Sequence, residues 1–514
     1  MTAGKMIKMT MARIVAVAGV ALMAVSVSAY TPKSFKEKAK RGSWDAWESQ
    51  QMTVSTERPC VTWKKLNKLD PGLECVGRLR NRTPKEIEAS EWSVGCETLD
   101  RDYADFSIYK PFLAELGAKR ARFFSGWAKT EQEKGKYDFT WLDPHLRETA
   151  AMGVKPWVCL SYANPVYGGD FRLGTKIRHI LGNPEATAAW LAYVKACVAR
   201  YRDVVDEWEV WNEAYGQGAD YAELFYITAK AVREVQPEAK IFVTAISFPK
   251  EFVMVHDRLV KEHAEDFASY WIYHPYKEVP EHGYEEAHAL RALVKGWSAK
   301  YEIFQGESGC PSQLEFQHAL HSIEWTEYAQ AKWDLRLSIG DAARRIRSNV
   351  FTIIDLQYPF MLQSFGLIRS NTLNEFIYRR PSYYAMRNVY ALFDSKTEPV
   401  RTWINADGET GRTVHLCEFS RAGAPLAAYW YGDRRPSAEL DFARLELLDV
   451  LGEFEDPVLV EMITGRIFAP DPKDVTVHKG KNYTSFRNLP VWDAPVVLMP
   501  RAFQAGLNNS RKGE

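Results

Sequence analysis

The sequence lacks an excess of charge of either sign. Its 66 lysine and arginine residues balance 66 aspartate and glutamate residues, so the formal net charge is zero at pH 7. No basic stripe or acidic tail interrupts this balance. Proteins that bind nucleic acid present a basic face to the phosphates, so we expect no nucleic-acid partner.

Glycine-rich phosphate-binding motifs and closely spaced metal ligands are also missing. Neither G-x-G-x-x-G nor a Walker motif occurs, although an open doubly wound nucleotide-binding sheet would normally carry one after an early strand. The seven cysteines include no C-x-x-C pair of the kind that holds structural zinc. We therefore expect neither a cofactor nor a metal, and the open sheet is the less favoured fold.

The odd number of cysteines excludes complete internal pairing. In an exported protein Cys60 and Cys75 are close enough in sequence for a local disulfide bridge. Cys159 and Cys197 lie in apolar segments, which favours buried free thiols.

Long hydrophobic runs are confined to the N-terminus. Residues 14–27 are mostly apolar, follow a positively charged stretch that ends at Arg13, and precede the small residues Ser28 and Ala29. This pattern predicts a signal peptide over residues 1–29, and the run is short for a spanning helix, which needs roughly 20 residues. We expect a secreted or periplasmic protein with no membrane contact after cleavage; an uncleaved anchor is the alternative.

A strand–helix alternation repeats from about Trp92 to Asp394. Eight short segments rich in Val, Ile, Phe, Trp or Tyr are each followed by a segment with helical periodicity. The predicted strands are residues 93–97, 119–127, 155–162, 206–213, 240–247, 270–276, 301–309 and 348–356. Eight such units predict an α/β fold of the (β/α)₈ TIM-barrel type over residues 92–394.

The pattern changes after Asp394. Short β-like runs at 413–420, 425–432, 457–465 and 494–500 are separated by Gly, Pro, Asp and Asn. They predict a small antiparallel β-sandwich within residues 395–514. Residues 30–91 have no clear place and are expected to wrap back onto either the sandwich or the barrel.

Two glutamates stand where a barrel places catalytic side chains, at the carboxyl ends of its strands. Glu213 ends the fourth predicted strand and Glu307 lies near the end of the seventh. Each alone is as readily a surface or salt-bridged carboxylate. Together, and with Asn212 before the first, they suit glycoside hydrolysis, which uses two carboxyl groups facing one anomeric carbon.

The motif Trp211-Asn212-Glu213 on strand four, combined with a glutamate on strand seven, resembles clan A of the glycoside hydrolases. The following β-sandwich makes the layout closest to family thirty-nine. The resemblance implies a retaining enzyme in which Glu213 is the general acid/base and Glu307 the nucleophile. It also implies that Asn212 hydrogen-bonds the sugar 2-hydroxyl.

The resemblance extends to strands two and six and departs at strand eight. It implies that Arg122 braces the nucleophile and that His274 and Tyr276 lie beside it. Many clan members carry a Trp after strand eight, whereas this chain reads FTIIDLQYP there. Asp355, Gln357 or Tyr358 would take its place.

Aromatic and amide side chains near the strand ends are typical of a sugar site. We expect Trp127, Tyr162 and Asn164 to contact substrate, with ordinary packing as the alternative for Tyr162. Trp211 should pack beneath the site, because it points away from Asn212 in an alternating strand. His274 has no second ligand at metal-binding spacing.

The sequence thus predicts an exported retaining β-glycoside hydrolase whose partner is a carbohydrate substrate. The sugar, the linkage, exo or endo action and the oligomeric state are not encoded in any recognisable motif. A carbohydrate-binding protein that has lost catalysis is one alternative. An acyl or phosphoryl hydrolase using Ser308 is another, although no G-x-S-x-G motif supports it.

Overall fold

A computed structural model describes Leu66 and residues 68–214, 216–244, 250–402 and 405–503. The expected signal segment 1–29, Cys60 and most of residues 30–91 lie outside these ranges. The six cysteines within them are free thiols, and Cys159 and Cys197 are buried as expected. No helix in the described part of the chain is long and apolar enough to span a bilayer.

Eight parallel strands close into a barrel, as the alternation predicts. The first strand of the chain, β1 (Glu74–Arg78), lies outside it. The barrel strands are β2 (Ser93–Gly95), β3 (Arg120–Phe124), β4 (Lys155–Leu160), β5 (Glu207–Val210), β6 (Lys240–Thr244), β7 (Tyr270–Tyr273), β8 (Glu302–Ser308) and β9 (Arg347–Val350). Closure comes from β2, whose Ser93 pairs with Arg120 of β3 on one side and with Asn349 of β9 on the other.

Helices connect successive barrel strands. They are α1 (Phe106–Leu116), α2 (Trp127–Thr130), α3 (Asp143–Ala151), α4 (Arg178–Leu181), α5 (Pro184–Tyr201), α6 (Gly218–Val235), α7 (Lys250–Lys261), α8 (Tyr284–Trp297), α9 (Glu327–Ala343) and α10 (Pro381–Leu392). Short 3₁₀ turns occur at Leu99–Arg101, Pro165–Tyr167, Glu265–Phe267, Pro280–Gly283 and Pro472–Asp474.

Helix α5 shows how the sequence sets these boundaries. The Asn183 side chain accepts hydrogen bonds from the backbone N–H groups of Glu185 and Ala186, and Pro184 occupies the first turn. The helix ends at Tyr201, where the chain turns to enter β5. Its apolar face is buried against the barrel, as the periodicity predicts.

Two layers fill the barrel interior and define its floor. Trp157, Phe242, Ile272 and Phe304 form a separate apolar cluster inside the strands. The Arg122 guanidinium stacks over Trp157 at 5.3 Å and begins the polar layer beneath the mouth. The carboxyl ends of the strands are therefore rigidly supported from below.

The C-terminal region is an antiparallel sandwich, as expected. Its strands are β14 (Thr397–Pro399), β15 (Asn405–Asp407), β16 (Val414–Arg421), β17 (Ala424–Tyr431), β18 (Ala443–Leu445), β19 (Leu447–Leu451), β20 (Pro457–Glu461), β21 (Arg466–Ala469), β22 (Val475–His478), β23 (Tyr483–Phe486), β24 (Leu489–Val491) and β25 (Val496–Pro500). One sheet has the order β1-β21-β20-β25-β17-β16-β14 and another β15-β19-β23-β22. Residues 74–78 therefore wrap back onto the sandwich, one of the two places expected for the N-terminal segment.

Two hairpins follow the last barrel strand. They are built from β10 (Leu356–Tyr358) with β11 (Met361–Gln363), and β12 (Ile368–Ser370) with β13 (Phe376–Arg379). The first hairpin rises beside the mouth of the barrel.

Buried ion pairs join the barrel to the sandwich. Lys332 of α9 pairs with Asp493 and donates to the Glu439 carbonyl. One turn later, Arg336 forms a two-pronged pair with Glu281, which also accepts from the Trp430 indole at 2.6 Å. Because these groups lose water on both sides, they fix one docking geometry of the two layers.

At the amino end of the barrel, Glu207 lies between Arg347 and Arg120. Its oxygens accept from Arg347 at 2.6 and 3.1 Å and from Arg120 at 2.8 Å. Burial raises the pKa of the Glu207 carboxyl, but the charges of Arg347 and Arg120 outweigh it and lower that pKa to about 2. The pair therefore stabilises the barrel wherever Glu207 is ionised in the unfolded chain, which is above about pH 4.5.

We expect Glu207→Gln to lower the free energy of unfolding by about 3 kcal/mol at pH 7, because it leaves two arginines without their buried anion and with only the exposed Glu91 facing them. The difference from the unmodified protein should shrink as the pH falls from about 4.5 towards 2, where the native carboxylate itself becomes protonated. Denaturant unfolding at several pH values measures this. Glu185→Gln, which removes an exposed pair with Lys134, is the control and should change stability by less than about 0.5 kcal/mol.

Candidate functional site

Glu213 and Glu307 converge at the carboxyl end of the barrel. Glu213 lies just past β5 and Glu307 within β8; each side chain is largely enclosed, with 8% of the residue exposed. Three atoms lie within 4.8 Å of one another: one carboxyl oxygen of Glu213, one of Glu307 and one ring nitrogen of His274. Retaining glycosidases hold their two carboxyl groups about 5–5.5 Å apart and inverting ones about 6.5–9.5 Å apart. The two oxygens are therefore closer together than the carboxyl groups of an inverting pair.

The backbone after β5 departs from extended geometry. Trp211 and Glu213 have left-handed φ angles of 66° and 51°, which are costly for residues with a side chain. Trp211 packs against Tyr162 and Trp190 at ring distances of 5.3 and 6.3 Å, so it lies beneath the site as expected. Strand alternation is not the reason, because the strand has already ended.

Arg122 is the central cation of the site. Its Nη1 donates to Glu307 at 2.5 Å and its Nη2 to Asn212 at 2.8 Å. Its Nε and Nη2 also form a two-pronged pair with Glu209, both at 2.8 Å. Arg122 thus lies against Glu307 as the resemblance implies, and it fixes Asn212 beside Glu213.

His274 and Tyr276 contact one glutamate each. Tyr276 donates its hydroxyl to Glu307 at 2.8 Å. His274 Nδ1 lies 2.9 Å from Glu213 Oε1, and its buried Nε2 has no hydrogen-bond partner. A proton on either atom satisfies the His274–Glu213 contact, so this pair holds a transferable proton next to the site.

The charges of the two glutamates shift the pKa values of their neighbours. Burial lowers the pKa of His274, but the negative charges of Glu307 and Glu213 and the hydrogen bond to Glu213 outweigh it, and the net shift is upward. Burial and the charges of Glu307 and Glu213 raise the pKa of Tyr276. Tyr276 therefore stays a neutral donor to Glu307.

Asn212 and Tyr162 form the wall of the site next to Glu213. The Asn212 amide nitrogen donates to the Tyr162 hydroxyl at 2.9 Å, while its oxygen accepts from Arg122. Both residues are nearly enclosed. Tyr162 therefore orients Asn212 rather than forming part of an exposed rim.

Trp127 and Asn164 do not lie where the sequence predicts. Trp127 is fully buried among Tyr167, Trp190 and Tyr193, and its indole donates to Glu131 at 2.6 Å. Asn164 is also buried and uses its amide to cap a turn and to donate to the Glu131 carbonyl at 2.8 Å. Their polar groups are used inside the loop layer, so the expectation that they contact substrate is wrong.

Of the residues that follow the eighth barrel strand, β9, Tyr358 lies at the site and Asp355 does not. Asp355 is fully buried in a two-pronged pair with Arg380. Tyr358, on the β10–β11 hairpin, lies 4.8 Å from His318 between ring centres, with the two rings tilted. Burial raises the pKa of Tyr358, the Arg101 cation lowers it, and the charges of Glu307 and Glu213 add to the rise.

Sequence reasoning missed His318, Glu209 and Glu97. His318 belongs to the loop after β8, where nothing in the sequence marks it. Glu209 and Glu97 lie in predicted strands, and a charged residue inside an apolar strand was a signal for both. Glu209 accepts from Arg122 and from Thr244, and Glu97 lies 3.3 Å from Arg122.

The donor set at the mouth would also suit a cation by spacing alone, although the sequence gives no metal-ligand pattern. Glu213, His274 and Glu307 each offer one ligand atom. Both oxygens of Glu307, and Oε1 of Glu213, already contact protein hydrogen-bonding groups. The arrangement is complete for proton transfer and covalent capture by carboxyl groups.

Ser308 is not arranged as a nucleophile. It is fully buried, and its hydroxyl donates to the Pro275 carbonyl at 3.1 Å. His274, the histidine at the barrel mouth, contacts Glu213 instead. The serine-hydrolase alternative therefore has no support in the geometry.

Comparison with known proteins identifies the fold. No family model matches the sequence. The catalytic domain of a family 30 xylanase C from Talaromyces cellulolyticus superposes with a TM-score of 0.51 at 10% identity, covering 83% of this chain and 98% of that one. A family 30 subfamily 8 xylanase from Clostridium acetobutylicum gives 0.50 at 11%, with the same coverage. At this identity the likeness shows a shared architecture of barrel and β-domain.

We expect Trp127→Phe to lower the free energy of unfolding by about 1–3 kcal/mol, because the buried Glu131 carboxylate loses its indole donor. Thermal unfolding of the purified variant measures this. Tyr276→Phe, which removes a hydroxyl at the mouth, is the comparison and should destabilise less. A Trp127 variant as stable as the unmodified chain would contradict the internal role of this indole.

Proposed function

We propose that this protein is a retaining glycoside hydrolase that cleaves β-linked glycosides of a polysaccharide or oligosaccharide. The observation that carries the proposal is the spacing of Glu213 and Glu307, whose nearest oxygens lie within 4.8 Å across one barrel mouth. That spacing leaves room for direct attack by one carboxylate but not for a water molecule activated on the opposite face of the sugar.

Glu307 is the proposed nucleophile because two side chains donate hydrogen bonds to its carboxyl group. Arg122 and the Tyr276 hydroxyl occupy its two oxygens and set its direction. Both donors also stabilise the carboxylate when it leaves the glycosyl–enzyme intermediate in the second step. The His274 ring, held by Glu213, is a third group close to Glu307 and adds positive charge there when it is protonated.

Glu213 is the proposed acid/base. It shares a proton with His274 through the 2.9 Å contact, so it can protonate the leaving oxygen and later accept a proton from water. Asn212, fixed between Arg122 and Tyr162, presents its amide on the same side for a sugar hydroxyl. The left-handed backbone at Glu213 directs this carboxylate over the mouth.

We expect Glu307→Gln to abolish turnover and Glu213→Gln to reduce kcat by roughly 10²–10⁴ on a substrate with a poor leaving group. The Glu213 variant should recover the first step on an activated aryl glycoside, because such a leaving group needs no proton. A panel of nitrophenyl glycosides and polysaccharides, with the product anomer followed by NMR, measures both. Inversion of the anomer, or equal loss of Glu213→Gln activity on both kinds of substrate, would contradict the assignment.

Exposed aromatic rings extend from the catalytic pair towards solvent. Tyr358 lies 6.5 Å from Phe360 between ring centres, and Phe360 and Phe316 are 70% and 78% exposed. Phe360 occupies the tip of the β10–β11 hairpin, and Phe316 the loop that carries His318. Rings of this kind pack against the C–H faces of sugars, which supports a chain of several sugar residues as substrate.

We expect Phe360→Ala to raise KM about 2- to 12-fold for an oligosaccharide, the loss of about 0.5–1.5 kcal/mol of ring contact. KM for a nitrophenyl monosaccharide should not change, because that substrate does not reach Phe360 at the tip of the hairpin. Val253→Ala on the outer helix α7, another exposed apolar residue, is the control. Equal effects on both substrates would place Phe360 in folding rather than in substrate contact.

Export from the cytoplasm is part of the proposal and rests on the N-terminal sequence alone. Assignment to family thirty-nine rests on the resemblance of motifs and element order. The alternative function is a carbohydrate-binding protein without catalysis. Tight glycan binding by the unmodified chain, with no sugar released, would favour it.

A further inference from the structure

A third carboxylate, Glu97, faces the catalytic pair from the end of the first barrel strand, β2. Glu97 lies just past β2 and is almost fully enclosed. Its Oε1 lies 3.3 Å from Arg122 Nη1, the same nitrogen that donates to Glu307 at 2.5 Å. One nitrogen, which carries two N–H groups, therefore faces two carboxyl groups from the strands on either side of β9 and lies closer to Glu307.

The backbone makes room for this carboxyl group. A Cβ added at Gly95 would lie 2.1 Å from Glu97 Oε2, so no larger residue fits there while Glu97 keeps its position. The Thr352 hydroxyl donates to the Gly95 carbonyl at 2.8 Å and lies 3.4 Å from Glu97 Oε2. The ends of the first and eighth barrel strands, β2 and β9, thus form a recess beneath the mouth that fits the Glu97 side chain.

The charges around Arg122 do not balance if every acid is ionised. One guanidinium faces Glu209, Glu307 and Glu97, all buried or nearly so. Glu209 takes two parallel hydrogen bonds and Glu307 the shortest contact, so Glu97 has the weakest hold on the cation. A buried carboxyl without a matching cation is far more stable as the neutral acid.

Among the residues that the structure describes, the other titratable groups facing Glu97 add no positive charge. Besides Arg122, the titratable groups that face it are Cys96 beside it in sequence, Tyr109 of α1, Glu307 of β8 and Tyr276 beyond β7. Burial raises the pKa of Glu97, Arg122 lowers it, Glu307 raises it, and the result is about 7.

We infer that Glu97 is a positioning residue for the catalytic pair. Glu97 is a neutral acid, so Arg122 keeps its hydrogen bond to Glu307. The inference rests on the proposed function. When Glu97 loses its proton, its negative charge attracts Nη1 of Arg122 more strongly and draws that nitrogen away from the nucleophile. Glycosylation should therefore slow as the pH rises through the ionisation of Glu97, independently of the acid/base.

The test compares pH profiles of kcat/KM for the unmodified enzyme and Glu97→Gln on an activated aryl glycoside. This substrate removes the need for Glu213 as acid, and kcat/KM reports the glycosylation step. We expect Glu97→Gln to retain activity within about 5-fold at pH 5.5 and to hold it at least one pH unit further on the alkaline side. A purely structural role would lower activity equally at every pH, and an unshifted alkaline limb would overturn the inference.

Glu97→Asp keeps the charge but shortens the side chain, so it serves if the glutamine variant does not fold. Its kcat/KM should still fall at high pH, but at a different pH from that of the unmodified enzyme. A fall at the same pH would count against the inference. Gly95→Ala should cost most of the activity in the unmodified background and much less in a Glu97→Ala background, where the recess is empty. Equal losses in both backgrounds would show that the recess does not serve Glu97.

A stability measurement separates failure of this inference from failure of the proposed function. A carboxyl whose native pKa is raised from 4.5 to about 7 is protonated in the native state and ionised when unfolded, so its contribution to stability falls as the pH rises between these values. Relative to Glu97→Gln, the unfolding constant of the unmodified protein should rise by roughly 300-fold across that window. If no glycoside is cleaved but this difference appears, the proposed function fails and the neutral acid stands. If activity appears without the difference, the inference fails.

Discussion

The arrangement of the barrel mouth depends on the Arg122 guanidinium. It lies in a fully enclosed layer, over the Trp157 ring and below the two catalytic candidates. Burial lowers the pKa of Arg122, but the charges of Glu209, Glu307 and Glu97 outweigh it, so the group stays charged without water. A buried cation of this kind is stable only with every N–H group paired. That requirement fixes the orientation of Glu307 and Asn212 together.

The barrel supplies the rigidity that this cation needs, and the loops supply the reactive geometry. Arg122, Glu209 and Glu307 belong to the β-strands β3, β5 and β8, whose hydrogen bonds and apolar floor prevent relaxation. Glu213 lies where the strand has ended and the backbone is left-handed. Such strain persists only because the surroundings over-determine it. The acid/base candidate is therefore held by its neighbours, Trp211 below and His274 beside it, rather than by a sheet.

Periodicity and strand-end positions were enough to predict the barrel, the sandwich and the meeting of Glu213 with Glu307. These depend on local patterns: β-rich runs of five or six residues, helix caps such as Asn183, and the rule that parallel strands end at one face. Trp127 and Asn164 were misplaced because proximity to a strand end does not reveal direction. Both lie one turn outside the barrel, where Glu131 offers them a buried partner. A single sequence cannot show that a loop carboxylate takes up an indole.

Glu97 and His318 were not predicted as site residues for a different reason, which concerns how such sites are built. A carboxyl group inside an apolar strand signals a buried polar contact, but it does not reveal the partner until the Arg122 side chain is known to turn towards it. The missing Trp after the eighth barrel strand, β9, is a second case in which the sequence does not show which residue takes the place. The hairpin β10–β11 brings Tyr358 to the mouth instead, stacked on His318 from the loop after β8. The wall of the site is therefore assembled from two loops, and its chemistry is a property of their packing rather than of any one residue in the sequence.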